Sequence, residues 1–306
     1  MPFRSLIDAA ALQGLLGTAR LAIIDCRFDL MKPEAGRQDF LRAHIPGARY
    51  ADLNRDLSAP VGAHTGRHPL PTPEAFAAAL SRLGIGNDSN VIAYDDANSS
   101  FAARLWWMLR WVGHDAVAVL DGGFQAWLQR GGSLQSGEPE PAAADAGPFT
   151  LPSAASRGID AGVAPASAAP ASAPPVTTAD VERTLFAPTP RTPKPLLVDA
   201  RAPQRFAGVV EPIDTVAGHI PGAVNHPFAD NLAADNRFLP AAQLKQQWLQ
   251  LLGGTKPENL IVMCGSGVTA CHNLLSLEVA GLFGAKLYAG SWSEWIRDPR
   301  RPVARG

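Results

Sequence analysis

The sequence predicts a duplicated α/β protein, with a mainly parallel sheet in each half and helices on both faces of each sheet. Three observations predict it. Four short blocks recur in the same order in the two halves of the 306 residues. Within each half, short apolar or β-branched runs alternate with helix-like segments. One of those strand-to-helix junctions carries a cysteine set among glycines.

The repeat is explicit. IIDCR (Ile23 to Arg27) is matched by LVDAR (Leu197 to Arg201), and AHIPGA (Ala43 to Ala48) by GHIPGA (Gly218 to Ala223). VIAYDD (Val91 to Asp96) is matched by LIVMCG (Leu260 to Gly265), and DGGFQAW (Asp121 to Trp127) by AGSWSEW (Ala289 to Trp295). The offsets are 174, 175, 169 and 168 residues. Near-constant spacing over four ordered blocks means a duplicated domain. Boundaries follow at 1–134 and 177–306, joined by 135–176. Between Pro141 and Pro175 the joining stretch is mostly Ala, Pro, Ser and Gly. It cannot bury enough apolar surface to offset its ordering entropy, so it reads as a mobile linker. A second Pro-rich stretch, Phe186 to Pro195, reads as an inserted loop.

Buried strands are expected at Leu21–Cys26, Val91–Tyr94, Ala116–Leu120, Leu196–Val198, Leu260–Met263 and Ala285–Tyr288. Helices are expected at Pro73–Leu83, Ser99–Val112, Pro240–Leu252 and Thr269–Ala280. The first of these has Pro and Glu in its first turn and Gly84 beyond its end. Parallel sheets covered on both faces place ligands beyond the carboxyl ends of their strands.

Composition narrows the function classes. The chain is 46% hydrophobic and 18% charged, enough apolar material for real cores. Its 27 basic and 28 acidic side chains leave a net charge of −1. Nucleic acid and anionic lipid are therefore not expected partners. No apolar run approaches the roughly 20 residues a membrane span needs. The start lacks the apolar block of a signal peptide, so cytoplasm is the expected compartment. Three cysteines without metal-like spacing argue against a disulfide framework and a metal site, and for a reactive thiol.

That thiol is Cys264. In LIVMCGSGVTACHN (Leu260 to Asn273) an apolar strand ends at Met263 and Cys264 follows at its carboxyl end. Gly265, Ser266 and Gly267 permit a tight loop with inward amides, and Val268, Thr269 and Ala270 open a helix. A thiolate there is stabilised by partial positive charge, as is the terminal sulfur of a persulfide. Cys26, ending a core strand, and Cys271, inside the helix, read as buried structural thiols.

With these residues in view, the chain resembles the tandem-domain rhodaneses, and CGSGVTA resembles the active-site loop of their 3-mercaptopyruvate sulfurtransferase branch. DCR/DAR, HIPGA twice and GSWSEW are supporting marks, and the likeness spans all but the linker. It implies two rhodanese domains, each with a five-stranded parallel sheet, and a catalytic site in the C-terminal copy alone. Asp95 stands in the first copy where Cys264 stands in the second; a carboxylate cannot accept a sulfane sulfur.

The resemblance also implies roles. Thiosulfate-type members carry basic residues just after the Cys; here those positions are Gly265 and Ser266, which favours a mercaptopyruvate donor. Arg205 resembles the family's carboxylate-binding arginine, while Asp214 stands where a second arginine is usual. Proton transfer is expected from a relay of Ser266 and His68, with Arg67 beside the latter. The relay's acidic member aligns on Asn54, with Asp52 and Asp56 close by, and the choice among them stays open. His44 and His219 read as structural, and Trp292 and Trp295 as core or pocket wall. The implied reaction moves sulfur from the small donor to Cys264, releases pyruvate, and passes the outer sulfur to cyanide or a thiol such as thioredoxin, without metal or organic cofactor.

Three rival readings remain. A cysteine phosphatase needs an arginine six residues after the Cys, and Ala270 is there instead. A non-catalytic rhodanese module is at odds with an intact Cys264 loop. A thiosulfate sulfurtransferase is the serious alternative.

Overall fold

A computed structural model of the chain describes residues 5–139, 147–152, 172–186 and 195–306. It divides into two compact units, Met1–Ala59 with Pro71–Ala171, and Pro60–Leu70 with Ser172–Gly306. Residues 60–70 thus pack with the second unit, although their place in the sequence assigns them to the first copy.

The first unit contains five strands: β1 (Leu6–Ile7), β2 (Leu21–Asp25), β3 (Arg49–Tyr50), β4 (Asn90–Tyr94) and β5 (Val117–Leu120). All pairings are parallel, in the order β1-β5-β4-β2-β3. Its helices are α1 (Ala9–Leu15), α2 (Ala35–Arg42), α3 (Pro73–Arg82), α4 (Ala102–Trp111) and α5 (Gly123–Gln129). The start of α3 shows why the sequence predicts it. Thr72 accepts a hydrogen bond from the Ala75 N–H at 3.2 Å, and Pro73 needs no acceptor in the first turn.

The second unit repeats this with β6 (Leu196–Asp199), β7 (Val224–Asn225), β8 (Leu260–Met263) and β9 (Lys286–Leu287), in the order β7-β6-β8-β9. Its helices are α6 (Thr178–Phe186), α7 (Pro203–Phe206), α8 (Ala241–Leu252), α9 (Ala270–Val279) and α10 (Ser291–Trp295). Among the described residues its sheet has four strands, not the expected five. Where β1 lies in the first unit, the second has a single parallel bridge, Val176 to Tyr288. Pro174 and Pro175 before it lack N–H donors. The next residues whose N–H could face the partner strand are Pro174, which has none, and Thr178, where α6 begins.

The duplication holds at the level of atoms. Arg27 is fully buried against Asp25, with its Nη at 2.6 Å from the carboxylate, and it donates to the Ala43 carbonyl at 2.7 Å. Arg201 does the same with Asp199 at 2.7 Å and the Gly218 carbonyl at 2.8 Å. Each guanidinium lies over a ring, Phe124 at 4.3 Å or Trp292 at 4.8 Å. His44 and His219 stack on Phe40 and Phe206 and meet their carbonyls at 2.7 and 2.8 Å. Both histidines are structural, as the sequence predicts. Trp292 and Trp295 belong to the core with Leu197, Ile261 and Met263.

The stretch read as a mobile linker is in part docked. Phe149 is buried in the first unit beside His114, and Thr150 is hydrogen-bonded to Asn87. Phe149 is an aromatic side chain in an Ala/Pro-rich run, and its burial secures that segment. Residues 140–146, 153–171 and 187–194 lie outside the described residues, and with them most of the linker and of the Pro-rich insert.

Candidate active site

The site is built at the carboxyl end of β8, within the second unit. Cys264 follows Met263 and is 2% exposed. Its Sγ accepts a hydrogen bond from the Gly267 N–H at 3.2 Å. Gly267 has φ +76, and a Cβ there would lie 2.4 Å from the Ala289 carbonyl oxygen, so only glycine fits. Val268 is buried, Thr269 stands at the N-cap position without a side-chain capping bond, and α9 begins at Ala270. The loop is clamped by the chain around α10. The Trp292 N–H donates to the Cys264 carbonyl at 3.0 Å, and the Ser293 N–H to that of Gly265 at 2.8 Å. Ser291 Oγ accepts from the Cys264 N–H at 3.1 Å and donates to the Tyr288 carbonyl at 2.8 Å.

Behind the loop, α9 is anchored by a buried polar network. The Asn231 amide donates to Asn273 Oδ1 at 2.7 Å and lies 3.1 Å from His226 Nε2 through its oxygen. The Asn273 amide donates to the His226 carbonyl at 2.9 Å, and Trp248 Nε1 donates to Ser276 at 2.9 Å. Buried networks of this kind are rigid when their members are paired.

Ser266 and His68 meet: Ser266 Oγ is 2.8 Å from His68 Nδ1, and both residues are buried. The Arg67 N–H beside it donates to Ser293 Oγ at 3.0 Å. These contacts hold the 60–70 segment on the second unit, so the histidine and the serine belong to one body.

Arg205 and Arg67 also converge. A Cβ placed on Gly265 would lie 3.2 Å from an Nη of Arg67 and 3.6 Å from both Nη atoms of Arg205. Both guanidiniums thus lie over Gly265, the residue that follows Cys264 in the chain. Arg205 donates to Glu211 at 2.7 Å and to Asp214 at 3.0 Å, and Arg67 is also bound to Asp214. The Arg67 Nε is buried with no hydrogen-bond partner. Burial works to raise the Glu211 carboxyl, but the Arg205 guanidinium and the Asp214 and Ile213 amides outweigh it and hold it below its usual range. Asp214 and Glu211 as the framework of the arginine pair were missed by sequence reasoning. The signal was the EPID motif, whose acids carry no purpose until the arginines are placed.

Of the acids open for the relay, Asp56 is taken up by the Asp52 N–H at 3.0 Å and by Arg55 at 3.1 Å. Asp52 accepts from the Asn54 and Arg55 amides at 2.8 and 2.9 Å. Cys26 and Cys271 are buried thiols outside any disulfide. Burial, then the Asp95 and Asp25 carboxylates, pushes the Cys26 thiol well up, which keeps it protonated. Cys271 donates to the Gly267 carbonyl at 3.3 Å. Among the described residues no cluster of side chains is arranged to hold a metal, and no helix is long and apolar enough to cross a membrane.

The family described as rhodanese-like domain matches residues 8–130 and 185–298. A Pseudomonas aeruginosa protein named "Probable 3-mercaptopyruvate sulfurtransferase" is 47% identical over 308 residues, covering 100% of both chains. A Mycobacterium tuberculosis protein named "Putative thiosulfate sulfurtransferase SseB" is 38% identical over 98% of this chain and 97% of its own. Among solved structures, the 3-mercaptopyruvate sulfurtransferase SseA from Escherichia coli is 30% identical. It superposes with a TM-score of 0.72, covering 95% of this chain and 99% of that one. Two matched segments, two copies of one α/β unit and a cysteine loop at the end of a central strand have one explanation: the chain belongs to the rhodanese-like family, with two copies of its domain.

Proposed function

We propose that the protein is a sulfurtransferase that takes sulfur from 3-mercaptopyruvate through a persulfide on Cys264. The observation that carries this reading is the pair of guanidinium groups, Arg67 and Arg205, packed over Gly265 beside the nucleophile. Guanidinium forks suit a carboxylate, which they bind through paired N–H donors. The similarity to proteins named 3-mercaptopyruvate sulfurtransferase supports the same donor.

In the first step the Cys264 thiolate attacks the donor sulfur. An S–S bond forms, the C–S bond breaks, and its electron pair leaves on carbon as the enolate of pyruvate. The enolate takes a proton from Ser266 Oγ, which His68 resupplies; the 2.8 Å contact between them supports that path. In the second step an acceptor, cyanide or a thiol such as that of thioredoxin, attacks the outer sulfur and restores the Cys264 thiolate. Three buried cysteines outside any disulfide suit a reducing compartment, which supports the cytoplasm as the site of action. Thiosulfate is the second reading, favoured by the 38% identical relative of that name.

Steady-state assays with each donor and cyanide as acceptor test the reading. Mercaptopyruvate is expected to give the larger kcat/KM by at least about tenfold. After donor exposure, the peptide bearing Cys264 is expected to gain the mass of one sulfur atom. A preference for thiosulfate reverses the donor assignment, and transfer that survives Cys264→Ser removes the persulfide.

A further inference from the structure

The arginine pair is not a bare cationic patch. Three arginines and three carboxylates interlock, with two of the arginines, Arg67 and Arg205, over Gly265. Arg201 is paired with Asp199 and lies 3.4 Å from Glu211. Arg205 is paired with Glu211 at 2.7 Å and Asp214 at 3.0 Å, and Arg67 with Asp214. The six formal charges sum to zero. The Glu211, Asp214 and Arg201 side chains are deep, at 3%, 4% and 1% exposed, while Arg205 at 17% and Arg67 at 27% are partly open. Asp214 bonds both guanidiniums at once, one oxygen to each. It therefore sets their separation and orientation, and leaves Nη donors of both turned toward the space over Gly265.

Deepening the donor assignment just made, and resting on it, we propose that Asp214 is a specificity-determining positioning residue. It locks Arg67 and Arg205 into one clamp and cancels the pocket's excess positive charge, so that a carboxylate monoanion is favoured over a dianionic sulfur donor. The clamp holds a carboxylate by direction, through fixed N–H donors. A dianion gains most from net positive charge, and Asp214 removes that charge. Sequence position makes the same point: an acid stands where the family resemblance places a cation, and Arg67, from a segment distant in the chain, supplies the second guanidinium instead.

The test compares wild type, Asp214→Asn and Asp214→Glu with mercaptopyruvate and with thiosulfate, with cyanide as acceptor. The Asn variant is expected to raise kcat/KM for thiosulfate relative to mercaptopyruvate by about tenfold, mainly through KM, since one net positive charge is exposed a few ångströms from the bound anion. The Glu variant is expected to keep the wild-type ratio. A ratio unchanged in the Asn variant, or a parallel fall with both donors, overturns the proposal. Wild type preferring thiosulfate overturns the donor assignment itself, so the two failures are distinct. Should the Asn variant not fold, the wild-type enzyme still decides. A neutral pocket predicts that kcat/KM for thiosulfate changes less than about twofold between low and high salt. A steep loss of activity with salt overturns the proposal.

Discussion

Cys264 and Asp95 hold equivalent places in the two copies, and their surroundings show what that place does. The Asp95 carboxylate is fully buried and accepts four backbone N–H groups, those of Ala97 and Ser99 at 2.9 Å and of Phe101 and Ala102 at 2.8 Å. The loop after the central strand is thus an anion cradle in the first copy, filled by its own side chain. In the second copy the same place holds Cys264, whose Sγ accepts the Gly267 N–H at 3.2 Å. In the mechanism proposed above, Ser266 passes the proton to the enolate. Ser266→Ala is expected to lower kcat with mercaptopyruvate by about 100-fold, the usual worth of a positioned proton donor, while Cys264 still reacts with iodoacetamide. Undiminished kcat in that variant excludes the relay.

At the scale of elements, the loop between β8 and α9 is shaped from outside by the start of α10. Ser291 takes φ +53, a conformation that glycine adopts freely and serine does not. Its counterpart in the first copy is Gly123, at φ +58. The strain is retained where Ser291 Oγ holds the Cys264 N–H, and strained residues of this kind persist when the surrounding contacts over-determine them. Ser291→Gly separates the two effects. Relief of strain, about 1–2 kcal/mol, is offset by the freer unfolded chain, about 0.4–1 kcal/mol, and by loss of the Ser291 Oγ hydrogen bonds, so the thermal midpoint should stay within a few degrees of wild type. Loss of the oxygen frees the Cys264 amide, and kcat is expected to fall about tenfold from misplacement of the nucleophile. Wild-type turnover in this variant shows that the contact does not position the loop.

At the scale of the whole molecule, one framework serves two ends, and its stability carries the cost of the buried acid. Burial pushes Asp95 up to about 6, against the opposing pull of the Ala102, Ala97 and Phe101 amides. Its pKa in the unfolded chain is near the ordinary 3.8, so folding takes up a proton between these values. The stabilisation is present at low pH and is lost as pH rises from about 4 to about 6. The stability of wild type minus that of Asp95→Asn is therefore expected to fall by about 2 kcal/mol from pH 4.5 to pH 7, measured by urea denaturation. A difference that does not vary with pH places the Asp95 titration elsewhere.

Much of this was legible along the chain. The strand ending at Met263, the glycines flanking Ser266 and the four repeated blocks are local signals, because side-chain period, backbone freedom and turn chemistry act between near neighbours. The twin Asp–Arg pairs, Asp25 with Arg27 and Asp199 with Arg201, are two residues apart and were visible as DCR and DAR. What was not legible depends on residues far apart in sequence. That Pro60–Leu70 packs with the second unit rests on contacts such as Arg67 with Ser293 and His68 with Ser266, more than 190 positions away. The missing fifth strand turns on how Val176 is placed against Tyr288 between a proline without an N–H and the start of α6. The charge balance over Gly265 exists only once Arg67, Arg205, Glu211 and Asp214 are gathered. Electrostatic and hydrogen-bond energies depend on distance in space, and the order of residues along the chain does not supply that distance.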